Sequence, residues 1–215
     1  MTSIISPDWP APSNVVAGTT TRNAEDGLLP RGLQHLNQVH GAVVVEAGAI
    51  RDADKPLDAD AITGQEPGDI CAVRTADCLP VLFCSTDGTR VAAAHAGWRG
   101  LAAGVLENTI SAMGSGVGDL LVWLGPAISQ PNFEVGGEVR DAFLQNDADA
   151  AVYFEPNARG RWQADLYGLA RRRLAAAGVE AIYGGGWCTF ADSARFYSYR
   201  RGQDTGRMVS FVALK

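Results

Sequence analysis

The chain has 215 residues, 47% of them hydrophobic and 20% charged, with a formal net charge of −6. That is the balance of one globular domain, expected to span residues 1–215 and to bury a core without staples. The acidic total excludes the basic face of a nucleic-acid binder and suits an anionic membrane poorly, and no apolar run reaches the ~18 residues that a membrane span needs.

In chain order, the N-terminal MTSIISPDWPAP lacks the basic and apolar regions of a signal peptide. The expected setting is therefore the cytoplasm, with Cys71, Cys78, Cys84 and Cys188 reduced. Short Val/Ile/Leu/Ala-rich runs predict strands at Ala42–Glu46, Ile70–Arg74, Leu79–Cys84, Val91–Ala94, Leu120–Leu124, Glu180–Tyr183 and Met208–Leu214. Several lack clean alternation, which implies burial on both faces. Helical spacing predicts helices over Leu101–Met113, Gly137–Gln145 and Ala164–Ala177, the last ending at Gly178. Its late cations, Arg171–Arg173, read as a solvated helix end. Asn157–Arg161 and Gly184–Gly186 read as loops. The mixture points to layered α/β architecture.

Three residues carry the chemistry. His40 precedes a strand in Asn37-Gln38-Val39-His40-Gly41. Cys78 sits between two strands in Thr75-Ala76-Asp77-Cys78-Leu79-Pro80. His95 ends a strand in Ala94-His95-Ala96-Gly97-Trp98-Arg99-Gly100. Taken singly, each reads first as an ordinary structural residue. Taken together, one thiolate and two imidazoles suit zinc, and three protein ligands leave the open fourth position of a catalytic site. Bound zinc lowers the pKa of its water to about 7. His35, five residues from His40, reads as surface or core. Arg99, in a glycine-bracketed turn at a helix start, is a candidate for anion binding, with a loop or carboxylate partner as the alternative. Arg200 and Arg201 form a second candidate pair for phosphate or ribose. Asp77 is a candidate proton carrier or ligand-orienting group, with a turn-forming role equally open.

These motifs resemble the YfiH family, also called the multicopper polyphenol oxidase (laccase-domain) or peptidoglycan editing factor family. The matching pieces are Gln38-Val39-His40-Gly41, Asp58-Ala59-Asp60-Ala61, the Thr75–Leu82 and Ala94–Gly100 segments, Gly125-Pro126-Ala127-Ile128, Phe133-Glu134-Val135, Cys188-Thr189, Ser198-Tyr199-Arg200-Arg201 and Gly206-Arg207-Met208. The match covers roughly residues 15–215. The resemblance implies a single-domain α/β/α layered sandwich with a mixed sheet, and one zinc held by His40, Cys78 and His95. It implies phosphorolysis of adenosine, inosine or methylthioadenosine, and adenosine deamination, with a purine nucleoside and phosphate as partners. Another line of family knowledge concerns cell-wall precursor quality control. Family members carry a longer N-terminal stretch holding an Asn-Arg helix. Here about a dozen residues (Asn23–His35) separate Thr19–Arg22 from Asn37, so that helix is expected to be missing, and its arginine either absent or replaced by Arg22 or Arg31.

Four hypotheses follow. The first is a zinc-dependent purine nucleoside enzyme, with Cys78, Asp77 and Glu134 as catalytic groups and Arg99, Arg200, Arg201 and Arg22 holding substrate or phosphate. A polyphenol oxidase is rejected on histidine count: three histidines cannot supply a blue-copper centre and a trinuclear cluster, although adventitious copper remains compatible with the ligands. A metal-free hydrolase would use Cys78 as nucleophile with His95 or His40 as base, which suits cell-wall precursor editing. A non-catalytic zinc protein would need a fourth ligand, with Cys71, Cys84 or Asp77 the candidates.

Overall fold

The computed structural model describes residues 3–25, 28–33, 35–202 and 206–215. Residues 26, 27 and 34, within the short N-terminal segment noted above, lie outside the described residues.

The strands are β1 (Ile4–Ile5), β2 (Val15–Thr20), β3 (Val44–Glu46), β4 (Ala61–Gly64), β5 (Ile70–Thr75), β6 (Leu79–Ser85), β7 (Val91–Ala96), β8 (Leu120–Leu124), β9 (Glu134–Val135), β10 (Phe154–Pro156), β11 (Trp162–Ala164), β12 (Ala181–Gly184) and β13 (Met208–Leu214). The helices are α1 (Ala47–Arg51), α2 (Trp98–Ala102), α3 (Val105–Met113), α4 (Gly137–Leu144) and α5 (Leu166–Ala176). Six strands form a mixed sheet in the order β12-β8-β6-β7-β4-β3. The outer pairs β12/β8 and β3/β4 are parallel and the inner pairs antiparallel.

The expected layered α/β sandwich with a mixed sheet is present. On one face Leu79, Val81, Phe83, Ala92, Ala94 and Ala96 meet the buried side chains of α3 and α5. The other face, through Leu82, Cys84 and Ala93, packs against α1 and the inner side of an antiparallel sheet ordered β1-β2-β13-β5. The central strands are thus covered twice, which is why β6 and β7 are buried at every position and read as continuous apolar runs. The alanines of β7 let both neighbouring layers approach closely. Cys71 and Cys84 lie in this second core, where burial pushes the Cys84 thiol up to about 12 and the Cys71 thiol well above its ordinary range. A third sheet, β10-β11-β9, flanks the cleft described below.

Three sequence expectations change. The helix expected over Leu101–Met113 is two helices, because Gly104 takes a left-handed φ of +94° between α2 and α3, a conformation that costs other L-residues roughly 1–2 kcal/mol. Arg171–Arg173 are not a solvated helix end. Arg171 donates to the carbonyls of Ile182 and Gly184, Arg172 pairs with Asp147 and Asp149, and Arg173 donates to Glu107 at 2.6 Å. They fasten α5 to β12, to the loop after α4 and to α3. Finally, β2 and β4 carry no sequence signal strong enough to predict them. The helix at α5 begins after its N-cap, Asp165, whose carboxylate accepts from Gly168 N at 2.9 Å.

None of the described helices is long and apolar enough to cross a membrane.

Candidate metal centre and substrate cleft

The turn between β5 and β6 carries Asp77 and Cys78, the end of β7 carries His95, and the loop before β3 carries His40. The β5–β6–β7 arrangement brings the first two together by pairing: Pro80 stands opposite His95 and Leu79 opposite Ala96. The loop bearing His40 is clasped separately. Asn37 bridges to Asp58, and Gln38 bonds the Arg74 peptide on both sides, donating to its carbonyl at 2.9 Å and accepting from its N–H at 2.8 Å.

Asp60, fully buried at the head of β4, is the residue around which the site is organised. Its Oδ1 accepts from His40 N at 2.9 Å and its Oδ2 from Gly41 N at 2.6 Å. His95 Nδ1 lies 2.8 Å from Oδ1. An ionised carboxylate only accepts, so Nδ1 carries a proton toward Asp60 and Nε2 is the ring nitrogen left for Cys78 or, once its own proton is displaced, for a metal. One carboxylate thus sets both the loop of the first histidine and the tautomer of the second, the arrangement that orients metal-ligating imidazoles.

The result is a cluster in which one ligand atom from each of His40, Cys78 and His95 lies within 4.8 Å of the others. The two imidazole rings meet edge to face at 4.8 Å. Burial raises the Cys78 thiol, but the hydrogen bonds and charge of His40 and His95 outweigh it and bring it down to about 6. Burial lowers His95, and the bonds to Asp60 and Cys78 reverse this and raise it to about 9. Two imidazole nitrogens and a ready thiolate, with Asp60 bonded to the His95 ring and the His40 backbone behind them, fit a borderline-soft divalent metal. His35 is exposed and outside the cluster. Cys71 and Cys84, considered as a fourth ligand, are in the core instead.

The glycines of the Gly97–Gly100 turn have a steric reason. A Cβ at Gly97 would stand 3.0 Å from Cys78 Sγ and 3.3 Å from His40 Cδ2, and one at Gly100 would stand 2.6 Å from the Gly41 carbonyl. Among the described residues only His40 (φ +61°) and Asp77 (φ +84°) are non-glycines with positive φ. Both flank the cluster, where such backbone strain is characteristically held.

A cleft of about 760 Å³ opens over the cluster, within the size range of small-molecule sites. Its walls include His40, Cys78, His95, Trp98, Phe133 and Tyr199, with the residues Arg74, Arg99, Arg200 and Arg207. Arg99 stacks on Trp98 at 4.5 Å and Arg200 on Phe133 at 5.3 Å. A smaller cavity of about 90 Å³, beside Arg51 and Asp69, is far from this chemistry.

The remaining expected site residues divide. Arg99 and Arg200 line the cleft; Arg22, Arg201 and Glu134 do not. Arg22 donates to the Ser193 carbonyl and lies over Tyr197. Arg201 spends its guanidinium on the carbonyls of Thr189, Phe190 and Phe196. The Glu134 carboxylate accepts from Asn157 at 2.8 Å and pairs with Arg159, while its own carbonyl accepts from Arg200. Asp77 lines the cleft, but its carboxylate accepts from Thr189 Oγ1 at 2.6 Å, Ser198 Oγ at 3.0 Å and Arg200 N at 2.8 Å. Of the three roles considered for it, these donors and its left-handed φ in the β5–β6 turn match a turn-forming and positioning role rather than proton transfer. The helix start at α2 is a five-residue turn, so the anion preference there rests on Arg99 and little on a helix dipole. Sequence reasoning missed the organising role of Asp60 and the two further arginines, Arg74 and Arg207. Asp60 was visible only as part of Asp58-Ala59-Asp60-Ala61, and the arginines face the cleft only once β5 and β13 pair.

A family profile for multi-copper polyphenol oxidoreductase laccase matches residues 11–215. The chain belongs to that family. Among its relatives, a purine nucleoside phosphorylase of Pseudomonas aeruginosa is 51% identical and the purine nucleoside phosphorylase YfiH of Escherichia coli 45%, each alignment covering 100% of both chains. Those alignments run over 245 residues against the 215 of this chain, so at least 30 positions have no counterpart here. Among solved structures, a Neisseria meningitidis protein superposes with a TM-score of 0.92 at 44% identity over 100% of both chains. YlmD of Geobacillus stearothermophilus gives 0.86 at 26% identity over 100% of this chain and 97% of its own. The family's name speaks of several coppers, yet among the described residues a single cluster of metal-ligating side chains is present.

Proposed function

We propose that the chain is a purine nucleoside phosphorylase with a secondary adenosine deaminase activity, built around one zinc held by His40, Cys78 and His95. The observation that carries this reading is the convergence of those three donors at the floor of an arginine-lined cleft, in a chain whose relatives bear the phosphorylase name. Zinc, when bound, supplies a Lewis acid with one open position.

The chain's own residues do the rest. Asp60 fixes the His95 tautomer and the His40 loop before substrate arrives, so no reorganisation is needed on binding. Trp98, Phe133 and Tyr199 offer apolar walls for the purine and ribose. Arg99 and Arg200, pinned on aromatic faces, hold inorganic phosphate by charge-assisted bonds beside the sugar. A phosphate oxygen then bonds to ribose C1′ as the C1′–N9 bond breaks. The electron pair leaves with the base, which takes up a proton, giving free purine and ribose 1-phosphate. In deamination, water adds at purine C6 and ammonia leaves.

Incubating purified protein with inosine and phosphate is expected to release hypoxanthine, and with adenosine to release adenine and inosine. Cys78→Ala is expected to lower both activities at least 100-fold with loss of zinc. Wild-type protein containing about one zinc per chain that forms none of these products would refute the proposal.

A second reading is the metal-free Cys–His hydrolase acting on a cell-wall precursor, favoured by the contact of the Cys78 thiol with both imidazoles. Full activity in a strong chelator would select it.

A further inference from the structure

Three buried side-chain atoms among the described residues have no hydrogen-bond partner in the protein: Thr75 Oγ1, Glu107 Oε2 and Arg140 Nε. Two of them belong to groups that are otherwise engaged. Glu107 accepts from Arg173 through its other oxygen at 2.6 Å, and Arg140 stacks on Trp162 at 4.5 Å. Thr75 has a single polar side-chain atom, so its hydroxyl is wholly unpartnered. The residue is 1% exposed, and it lines the cleft over the His40–Cys78–His95 cluster, which Glu107 and Arg140 do not. Burying a hydroxyl without a partner is a net cost to the fold.

The strand pattern shows where that hydroxyl points. Side chains alternate along β5. Cys71 and Val73 enter the core between the two sheets, Ala72 joins the opposite face with Val209 and Phe211, and Arg74 is exposed. Thr75 shares the phase of Cys71 and Val73, so it faces the central sheet. On β7, Val91 and Ala93 face the same interlayer core while Ala92, Ala94 and Ala96 face the helices, which puts His95 on the interlayer side. Two contacts fix how β5 lies across β7. Cys71 Sγ donates to the Val91 carbonyl at 3.8 Å at one end, and Gln38, two residues before His40, holds the Arg74 peptide at the other. Thr75 thus stands at the His95 end of the interlayer space, three residues before Cys78.

A ligand seated over the cluster meets this hydroxyl, and the chemistry of its partner follows. Arg99 and Arg200 supply charge for an anion. A neutral hydroxyl both donates and accepts, and its match is another hydroxyl. In a nucleoside whose C1′ is presented to phosphate beside the cluster, the nearest hydroxyl is the one on the adjacent carbon, C2′. We propose that Thr75 is a substrate-contacting residue whose hydroxyl bonds the ribose 2′-hydroxyl, and that the cleft thereby selects ribonucleosides over 2′-deoxyribonucleosides. The placement of C1′ rests on the phosphorolysis reading above; the unpartnered hydroxyl does not. A site built to bond a substrate hydroxyl discriminates against the analogue lacking it, because its own polar group is then left unpaired.

Zinc-loaded wild type, Thr75→Val and Thr75→Ser are compared on inosine, 2′-deoxyinosine and 3′-deoxyinosine. Calorimetry in phosphate-free buffer gives binding, and product analysis at saturating phosphate gives kcat/KM. Comparing each ratio between variants cancels the weaker glycosidic bond of the 2′-deoxy compound. Thr75→Val is expected to lower the preference for inosine over 2′-deoxyinosine roughly tenfold or more in both arms, through loss on inosine, and Thr75→Ser to restore most of it. The ratio of inosine to 3′-deoxyinosine is expected to stay constant throughout. Val matches Thr in shape and removes the orphaned atom, so ligand-free Thr75→Val is expected to melt at or above the wild-type temperature with unchanged zinc content. An inosine to 2′-deoxyinosine ratio untouched by Thr75→Val would overturn the proposal. So would a shift in the 3′-deoxy ratio instead, or a lowered melting temperature, since the hydroxyl would then serve another group or the fold. If no compound yields free base, the phosphorolysis reading falls, and the binding ratio still decides the role of Thr75.

Discussion

Asp60 illustrates how much of the site depends on a residue that touches no substrate. Its two oxygens take the N–H groups of the His40 loop and the Nδ1 proton of His95, so removing it releases the His95 ring and the backbone that carries His40 at once. Asp60→Ala is expected to weaken zinc binding 10–100-fold, as read by competition with a chromophoric chelator; unchanged affinity would show that the histidines orient themselves. Asp77 is expected to behave differently. It lies beside Cys78, but its carboxylate organises the Thr189–Arg200 loop, so it acts as a positioning residue. Asn tolerates the left-handed backbone that Asp77 adopts and keeps one acceptor oxygen. Asp77→Asn is therefore expected to retain most activity, and Asp77→Ala to lose at least tenfold in kcat/KM with a raised phosphate KM and intact zinc content. A proton-carrying Asp77 would instead make Asn as damaging as Ala and remove a limb of the pH profile.

Among the elements, the β6–β7 hairpin is the one that holds Cys78, immediately before β6, beside His95 near the end of β7, and its far end is tied by Asp87. That carboxylate accepts from Ser85 Oγ at 2.6 Å and from the Thr89 N–H and Oγ1, which together hold it down at about 2. A depressed carboxylate stabilises the fold above its ordinary value of 3.8 and loses that contribution as pH falls toward about 2. The difference in urea midpoint between wild type and Asp87→Ala is thus expected to be constant from pH 7 to pH 5 and to shrink below pH 4; a difference that persists unchanged to pH 2.5 would contradict the assignment. The apolar runs of β6, β7, β8 and β13 were legible in sequence because strands covered on both faces must be continuously hydrophobic. β4 was not: its four residues, Ala61–Gly64, mix small and polar side chains that only close packing against β7 explains. The split of α2 from α3 was hidden because the apolar spacing runs on past Gly104, and a helical period says nothing about a left-handed φ. The three donors of the cluster were legible by residue type and placement at element ends. The roles of Arg201 and Glu134 were not, since the carbonyls and cations that occupy them come from loops distant in sequence.

For the molecule as a whole, the layers place three donors from three separate segments at one end of a central sheet and surround them with arginines in an otherwise acidic protein. The β6–β7 pairing and the Asp60 clasp are made by the chain's own groups, so the three donors are expected to be held together ahead of metal binding. The most direct measurement is the absorption spectrum of cobalt-substituted protein, comparing wild type with Cys78→Ser. The account expects one cobalt per chain, a near-ultraviolet thiolate-to-metal charge-transfer band in wild type, and loss of that band in the variant. A wild-type spectrum without the band, or a band that survives in Cys78→Ser, would contradict it.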